Sequence, residues 1–126
     1  MYVIHCGTLV DGVCEEPIED GRVVVEDGCV VDAGPAEEVD VPDDADPVDH
    51  SEETVIPGLI DAHLHLFGRR SMEPFDWVTE SSELGTARAT ADLRTLLESG
   101  FTSVRDVGSE TGLALREAVD DGRSEE

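Results

Sequence analysis

The sequence contains no lysine, and its eight basic residues are all arginine. Against them stand 31 acidic residues, which give a formal net charge of −23 at pH 7. Tight binding to DNA or RNA depends on basic side chains that meet the phosphates, and this chain has no basic patch. The composition therefore excludes a nucleic-acid partner from the expected functions.

Aromatic residues and long apolar runs are also scarce. There are one Trp, one Tyr and three Phe, and no stretch approaches the roughly 18 consecutive apolar residues of a membrane-spanning helix. The first residues, MYVIHCGTLVDG, predict a strand instead of a basic region followed by a hydrophobic stretch, so no signal peptide is predicted. We therefore expect a cytoplasmic protein without a membrane association.

Cysteine is limited to Cys6, Cys14 and Cys29, an odd number without CxxC spacing. Structural zinc sites built from cysteine typically use closely spaced pairs, so a zinc knuckle has no support here. We interpret the three residues as small, buried or half-buried thiols in a reducing compartment.

The acidic residues are spread along the chain, between apolar segments that keep strand or helix periodicity. High net charge is one signature of intrinsic disorder, but the preserved periodicity argues against disorder for most of the chain. At about 1 M salt the Debye length falls to roughly 3 Å, so the self-repulsion of such a chain is screened. We therefore expect a globular protein from a halophilic source.

Residues 1–56 predict a small β module. Two Val-rich runs flank Asp27-Gly28, a dipeptide that favours a tight hairpin turn. The segment PAEEVDVPDDADPVDHSEE is rich in Pro and Asp and predicts a turn of helix and a solvated loop. A short strand, TVIPG, follows and ends at Pro57.

Residues 57–126 predict a different pattern. The strand LIDAHLHL, a long loop and the helix LGTARATADLRTLLESG are followed by the strand FTSVRDVGS and the helix TGLALREAVDDG. The order strand–helix–strand–helix predicts an α/β fold with parallel strands. Two such units do not close a parallel sheet, which needs several strands and covered faces, so we expect an incomplete fold.

Two histidines, His63 and His65, lie at alternate positions of the LIDAHLHL strand. Alternate side chains of a strand point to the same face, with Cα atoms about 6.6 Å apart, so the two imidazoles can converge on one metal ion. Asp61 falls on the same face and can accept a ring N–H. Two ordinary half-buried histidines are the alternative interpretation of a bare His-x-His.

The stretch VIPGLIDAHLHL closely resembles the N-terminal part of the amidohydrolase superfamily. Upstream, TLVDG and IEDGRVVVEDGCVVDAGPAEEV are similar to the family's β-sandwich segment. Downstream, LESGFTSVRDVGS and GLALREAVDDGR look like the second barrel strand and helix of the branch that holds imidazolonepropionase-like and prolidase-like enzymes.

The resemblance implies a fold and a metal site. Residues 1–56 would be a β-sandwich segment, and residues 57–126 would be the first two βα units of an incomplete (β/α)8 TIM-type barrel. His63 and His65 would bind a catalytic divalent metal, with zinc as the expected ion. Asp61 would orient a histidine ring by accepting its N–H. Further ligands of the family, including a carboxylated lysine in many members, lie on later strands, and this chain has no lysine.

The resemblance therefore implies an N-terminal fragment of an amidohydrolase that hydrolyses C–N bonds, amide or cyclic amide, in small substrates. No catalytic residue is assigned within the chain, and the isolated chain is expected to be inactive. Two alternatives stay open. The chain can be a non-catalytic remnant that forms homo-oligomers or an interaction module through exposed sheet edges, or it can be one half of a split enzyme.

Arg105 and Asp106 lie on the predicted strand FTSVRDVGS, which the resemblance makes the second strand of the barrel. We interpret them as a structural salt bridge. A role near the mouth of the metal site is the alternative.

Overall fold

The computed structural model describes residues 1–68, 71, 73, 75 and 79–122. The chain divides into two compact parts, an N-terminal unit, Met1–Pro57, and a C-terminal unit, Gly58–Glu126. The division predicted from the sequence, 1–56 and 57–126, lies one residue earlier. Among the described residues, the N-terminal unit is built from strands, whereas the C-terminal unit combines strands with two helices, which gives a mixed α/β fold.

The N-terminal unit is a single four-stranded sheet with the strand order β3-β2-β1-β4. Neighbouring strands are antiparallel except β1 and β4, which run parallel. The described residues of this unit hold one sheet, and a sandwich made with a second sheet stays a prediction. The strands are β1 (Tyr2–Leu9), β2 (Ile18–Glu26), β3 (Cys29–Pro35) and β4 (Asp46–Val55).

The turn between β2 and β3 is the hairpin that the sequence predicts. Asp27 and Gly28 both adopt positive φ, 51° and 78°. Two consecutive residues of this kind form the type I′ turn, whose twist matches the twist of the flanking strands. Aspartate tolerates the left-handed region, and glycine enters it without a steric penalty.

Strand β4 corrects the sequence prediction of a helical turn and a solvated loop. Residues 46–55 form a ten-residue strand that pairs in parallel with β1, from Tyr2 opposite Asp46 to Leu9 opposite Val55. The strand lies at the edge of the sheet, and most of its side chains are exposed. An exposed edge strand needs no apolar alternation, and charged residues there oppose edge-to-edge aggregation, so the local sequence resembles a loop.

The N-terminal sheet buries small apolar clusters on both of its faces. One consists of Cys6, Leu9, Val23 and Val25, and the other of Val3, Val24 and Val39. Of the three cysteines, Cys6 is buried as predicted, whereas Cys14 and Cys29 are exposed, which corrects their predicted burial. Cys14 lies in the loop after β1, and Cys29 begins β3, a strand whose first five residues are all exposed.

The described strands and helices of the C-terminal unit follow the predicted order strand, helix, strand, helix. Its strands β5 (Leu59–Leu64) and β6 (Phe101–Asp106) pair in parallel, and its helices are α1 (Ser82–Glu98) and α2 (Gly112–Asp120). The Ser81 hydroxyl caps α1 by accepting the N–H of Leu84 at 3.3 Å. Gly100, with φ 90°, follows the end of α1 and turns the chain into β6.

The core of the C-terminal unit joins the segment after β5 to the two helices. Leu66, Ala89 and Leu115 are buried together. The partly buried side chains packed against them are Leu64, Leu93, Leu96 and Val104. Within the described residues, neither helix has the length and apolarity needed to cross a membrane.

The substitution Gly68→Ala tests the close packing of this segment on α1. Gly68 has φ 59°, and a Cβ there would overlap the carbonyl oxygen of Gly85 and lie 2.8 Å from the backbone nitrogen of Ala89. The left-handed conformation costs roughly 1–2 kcal/mol for alanine, and overpacking adds typically about 1–3 kcal/mol. We expect urea denaturation to show a loss of stability equal to the sum of both effects.

The control for this substitution is Gly100→Ala in the same unit. Gly100 also has a positive φ, but a Cβ there would meet only a Leu59 methyl group at 4.0 Å. This variant should therefore show only the conformational cost of roughly 1–2 kcal/mol. Equal losses for the two variants would contradict the tight contact between residue 68 and α1.

Candidate metal site

The two predicted metal ligands lie side by side at the end of β5. His63 belongs to the strand, and His65 directly follows its last residue, Leu64. The ring centroids are 5.6 Å apart, and the ring planes meet at 76°. Both side chains are exposed. The alternation inferred from the sequence thus brings the two imidazoles to the same side of the chain.

Phe67 continues the same alternation and was missed in the sequence analysis. Its ring is stacked on that of His65, with centroids 5.2 Å apart and planes only 5° from parallel. An aromatic ring in this position restricts the orientation that the imidazole can take. The signal was present in the sequence, because residues 63, 65 and 67 share one face of an extended chain.

Asp61 occupies the predicted position but makes a backbone contact. Its Oδ1 accepts the N–H of His63 at 3.0 Å. Within the described residues, no hydrogen bond joins this carboxylate to an imidazole ring. The role of Asp61 as the acceptor of a ring N–H therefore stays a prediction, and the structure assigns it a part in shaping the backbone before His63.

The chemistry and spacing of the two rings fit a divalent metal. Zn–N bonds of about 2.0–2.1 Å meeting at a tetrahedral ion place two imidazole centroids about 5 Å apart. The observed separation of 5.6 Å is close to this value. Within the described part of the chain, no hydrogen bond occupies a ring nitrogen of His63 or His65, so both can offer a lone pair.

The described residues supply two ligands and no third. Among them, no group of three or more His, Cys, Asp or Glu side chains is placed to hold a metal ion together. Catalytic zinc sites generally use three protein ligands and leave one position for water or substrate. The geometry therefore corresponds to part of a catalytic site.

The remaining histidines are engaged elsewhere, in the N-terminal unit. His5 Nδ1 faces the Arg22 Nε–H at 3.5 Å, and His50 Nδ1 lies 2.6 Å from Glu53 Oε2. Their contacts give each of them a local partner in this unit.

Asp106 accepts hydrogen bonds from the loop after β6. The predicted salt bridge with Arg105 is therefore corrected. The Oδ1 of Asp106 accepts the N–H groups of Ser109 at 2.9 Å and of Gly108 at 3.1 Å. Successive residues of a strand point to opposite faces, so Arg105 cannot approach this carboxylate. Burial of the carboxyl group raises its pKa, but the hydrogen bonds outweigh burial, and the pKa of Asp106 lies below its ordinary value.

Two cavities accompany this segment in the described residues. The larger, of about 550 Å³, has largely apolar walls from β6, α1 and α2, and neither histidine lines it. The smaller, of about 310 Å³, is lined by Phe67 and Thr111 together with Glu80 and Ser81 before α1. His63 and His65 line neither of these two cavities, and both histidines are exposed.

Comparison with known proteins places this geometry in a family. The model of the Amidohydrolase family matches residues 54–124, which include β5 with His63 and His65, α1 and α2. A search of curated proteins finds no match. Among solved structures, a Xaa-Pro dipeptidase with methionine bound in its active site has a TM-score of 0.81 and 28% identity, covering 98% of this chain and 31% of that one.

Two further structures are similar over nearly the whole chain. A prolidase complexed with N-methylphosphonate-L-proline has a TM-score of 0.80 and 30% identity, covering 98% of this chain and 29% of that one. A putative prolidase from Bifidobacterium longum has a TM-score of 0.70 and 28% identity, covering 97% of this chain and 27% of that one. The chain thus spans less than a third of each of these structures. With its family match over residues 54–124, the chain belongs to the amidohydrolase family.

Proposed function

We propose that the chain is the N-terminal part of a metal-dependent amidohydrolase that hydrolyses C–N bonds, amide or cyclic amide, in small substrates. The observation that carries this proposal is the paired orientation of His63 and His65 within the family match. The share of the solved structures that the chain covers, 31% in the Xaa-Pro dipeptidase, supports the expectation that other parts of the active site come from elsewhere.

The fold supports the position of such a site. In (β/α)8 barrels the catalytic residues lie at the carboxyl ends of the strands. His63 and His65 lie at the carboxyl end of β5, and β5 pairs in parallel with β6. We assign β5–α1 and β6–α2 to the first two βα units of a barrel, and the N-terminal sheet to the β-sandwich segment that accompanies it.

In this proposal His63 and His65 hold the metal, with zinc as the expected ion. A bound divalent metal lowers the pKa of a water molecule and polarises the scissile carbonyl group. Phe67 keeps the His65 ring in one orientation by stacking, and Asp61 shapes the backbone at His63. No residue of the chain is assigned to proton transfer. Because the chain supplies only two metal ligands, it is expected to be inactive on its own.

The substrate class to test first is a dipeptide with proline at its C-terminus. A Xaa-Pro dipeptidase and a prolidase with an N-methylphosphonate-L-proline ligand are both similar to this chain over 98% of its length. The scissile bond of such a dipeptide is an amide C–N bond, as the proposal requires. Cyclic amides form the second class.

The surroundings in which the enzyme works are also part of the proposal. The excess of 31 acidic over eight basic residues supports a salt-rich cytoplasm, where the charges are screened. No nucleic acid or membrane is expected as a partner. The small-molecule substrate is the expected ligand of the assembled enzyme.

Exposed apolar side chains in the C-terminal unit support the two alternative functions, a non-catalytic oligomer and one half of a split enzyme. Ile60 on β5 is 70% exposed and Leu113 on α2 is 80% exposed. Surfaces of this kind favour burial against another protein surface, either a second copy of the chain or a second polypeptide that completes a split enzyme. A monodisperse dimer without bound metal, seen by light scattering in multi-molar salt, would favour the non-catalytic remnant.

A chimera tests the proposed function. In it, the chain replaces the matching 29% of the prolidase that was solved with N-methylphosphonate-L-proline. We expect zinc-dependent hydrolysis of alanyl-proline by the chimera, loss of that activity on His63→Ala/His65→Ala, and no turnover by the chain alone. A folded, zinc-loaded chimera without activity toward alanyl-proline or cyclic amides would contradict the proposal.

A further inference from the structure

Thr111 has an unusual hydrogen bond for its place in the fold. It is the N-cap residue of α2, where a threonine hydroxyl ordinarily accepts an N–H from the first turn of the helix. Here the side chain makes no capping bond. Its Oγ1 instead donates to the carbonyl oxygen of Leu66, 45 residues earlier in the chain, and the residue is only 7% exposed.

The carbonyl that Thr111 holds is next to His65. Leu66 follows His65 directly, and its own side chain is buried against Ala89 and Leu115. The Leu66 carbonyl belongs to the peptide that leads to Phe67, whose ring is stacked on the His65 imidazole. The orientation of that peptide plane therefore governs how the phenyl ring meets the imidazole.

With this bond, the carbonyl groups of both residues that flank His65, Leu64 and Leu66, have a hydrogen-bond donor. The Leu64 carbonyl accepts the N–H of Val107 at 3.0 Å, in the pattern of the β5–β6 pair. The Leu66 carbonyl accepts a hydrogen bond from the Thr111 hydroxyl. This hydroxyl takes the place that a backbone N–H would have if β6 continued. The Asp106 carboxylate holds the intervening loop through the N–H groups of Gly108 and Ser109.

We infer that Thr111 is a positioning residue for His65, whose hydroxyl extends the β5–β6 ladder and fixes the backbone that carries the predicted metal ligand. The inference rests on the proposed function for its link to metal binding. Partners that orient a ligand are usually worth about 10–100-fold in metal affinity. The competing explanation is that the hydroxyl satisfies a buried carbonyl and contributes to stability alone.

The test compares Thr111→Val, which removes the hydroxyl at nearly constant volume, with Thr111→Ser, which keeps it. The matched control is Thr90→Val in the same unit, since Thr90 Oγ1 donates to the Thr86 carbonyl at 3.1 Å on α1. Zn²⁺ affinity is measured by competition with a chromophoric chelator. We expect about a tenfold loss for Thr111→Val, recovery in Thr111→Ser and no change in Thr90→Val.

A second readout needs no metal. Ring ¹⁵N and ¹³C resonances of His65 in metal-free protein report whether the imidazole keeps one orientation. We expect Thr111→Val to broaden or shift them, and Thr111→Ser to leave them as in the wild type. If Thr111→Val does not fold, Thr111→Ala is used, because it removes the hydroxyl without placing a methyl group beside the carbonyl.

The two readouts separate failure of this inference from failure of the proposed function. A wild-type chain that binds no Zn²⁺ counts against the proposed function, and the His65 resonances then decide the inference alone. Wild-type Zn²⁺ affinity and unchanged His65 resonances in Thr111→Val would overturn the positioning role. Equal losses of affinity in Thr111→Val and Thr90→Val would overturn it as well, since the effect would then follow stability.

Discussion

Replacing His63 and His65 together by alanine is expected to abolish zinc binding by the chain. Wild-type protein, purified in high salt without a chelator, should carry zinc measurable by elemental mass spectrometry, and the double variant should carry none above background. The two imidazoles face the same side of the chain, with their ring centroids 5.6 Å apart. Within the described residues, no hydrogen bond is made to a ring nitrogen of either histidine. Losing both directly bound groups should exceed the about 10–100-fold loss typical of outer partners.

The matched control is His5→Ala/His50→Ala, which removes the same number of imidazoles from the N-terminal unit. His5 faces Arg22, and His50 pairs with Glu53 at the exposed edge strand. Zinc binding should survive this change. Equal loss of zinc in the two double variants would contradict the assignment of the site to the end of β5, and a zinc-free wild type at saturating Zn²⁺ would contradict the site itself.

The elements that the sequence predicted correctly are those with strong local signals. Asp27-Gly28 determines a hairpin turn because both residues tolerate positive φ. The helix α1 was predicted from its apolar spacing and from Gly100 at its end, although its start at Ser82 depends on the Ser81 cap. The common side of His63 and His65 followed from the two-residue period of a strand.

The features that the sequence did not reveal depend on distant partners. The edge strand β4 is acidic and exposed, and its hydrogen bonds to β1 join residues more than 40 positions apart in the sequence. The link from Thr111 to Leu66 spans 45 residues and has no local pattern. The stacking of Phe67 on His65 continues the same alternation, but Phe67 lies one residue beyond the predicted strand LIDAHLHL, in the segment that was predicted to be a loop.

Asp106 and Asp61 have hydrogen-bond partners that differ from those predicted from the sequence. Asp106 was predicted to pair with its neighbour Arg105, whereas the pleat separates them and the carboxylate holds the turn after β6. Asp61 likewise holds the backbone N–H of His63. Around the histidine pair, therefore, carboxylates and a hydroxyl bind main-chain groups and determine the course of the backbone that presents the imidazoles.

Dialysis from multi-molar salt to about 0.01 M salt is expected to unfold the chain, because the Debye length then grows from roughly 3 Å or less to about 30 Å. With 31 acidic residues against eight arginines, repulsion is no longer screened. The edge strand β4 concentrates this charge, since it carries the exposed acidic residues Asp46, Asp49, Glu52 and Glu53. Among the described residues its single ion pair is His50–Glu53, which requires a protonated histidine.

Circular dichroism across a salt series measures this loss, and two charge-matched variants locate its origin. Asp46→Asn/Glu52→Gln removes two charges from β4, and Glu15→Gln/Glu16→Gln removes two from the exposed loop after β1. The acids on β4 are fixed by the strand at about 3.3 Å per residue and cannot move apart as those of the loop can, so removing Asp46 and Glu52 should lower the salt requirement more. Equal shifts would mean that net charge alone determines the requirement. A full spectrum at about 0.01 M salt would overturn the proposed halophilic adaptation, since repulsion would then be tolerated without screening.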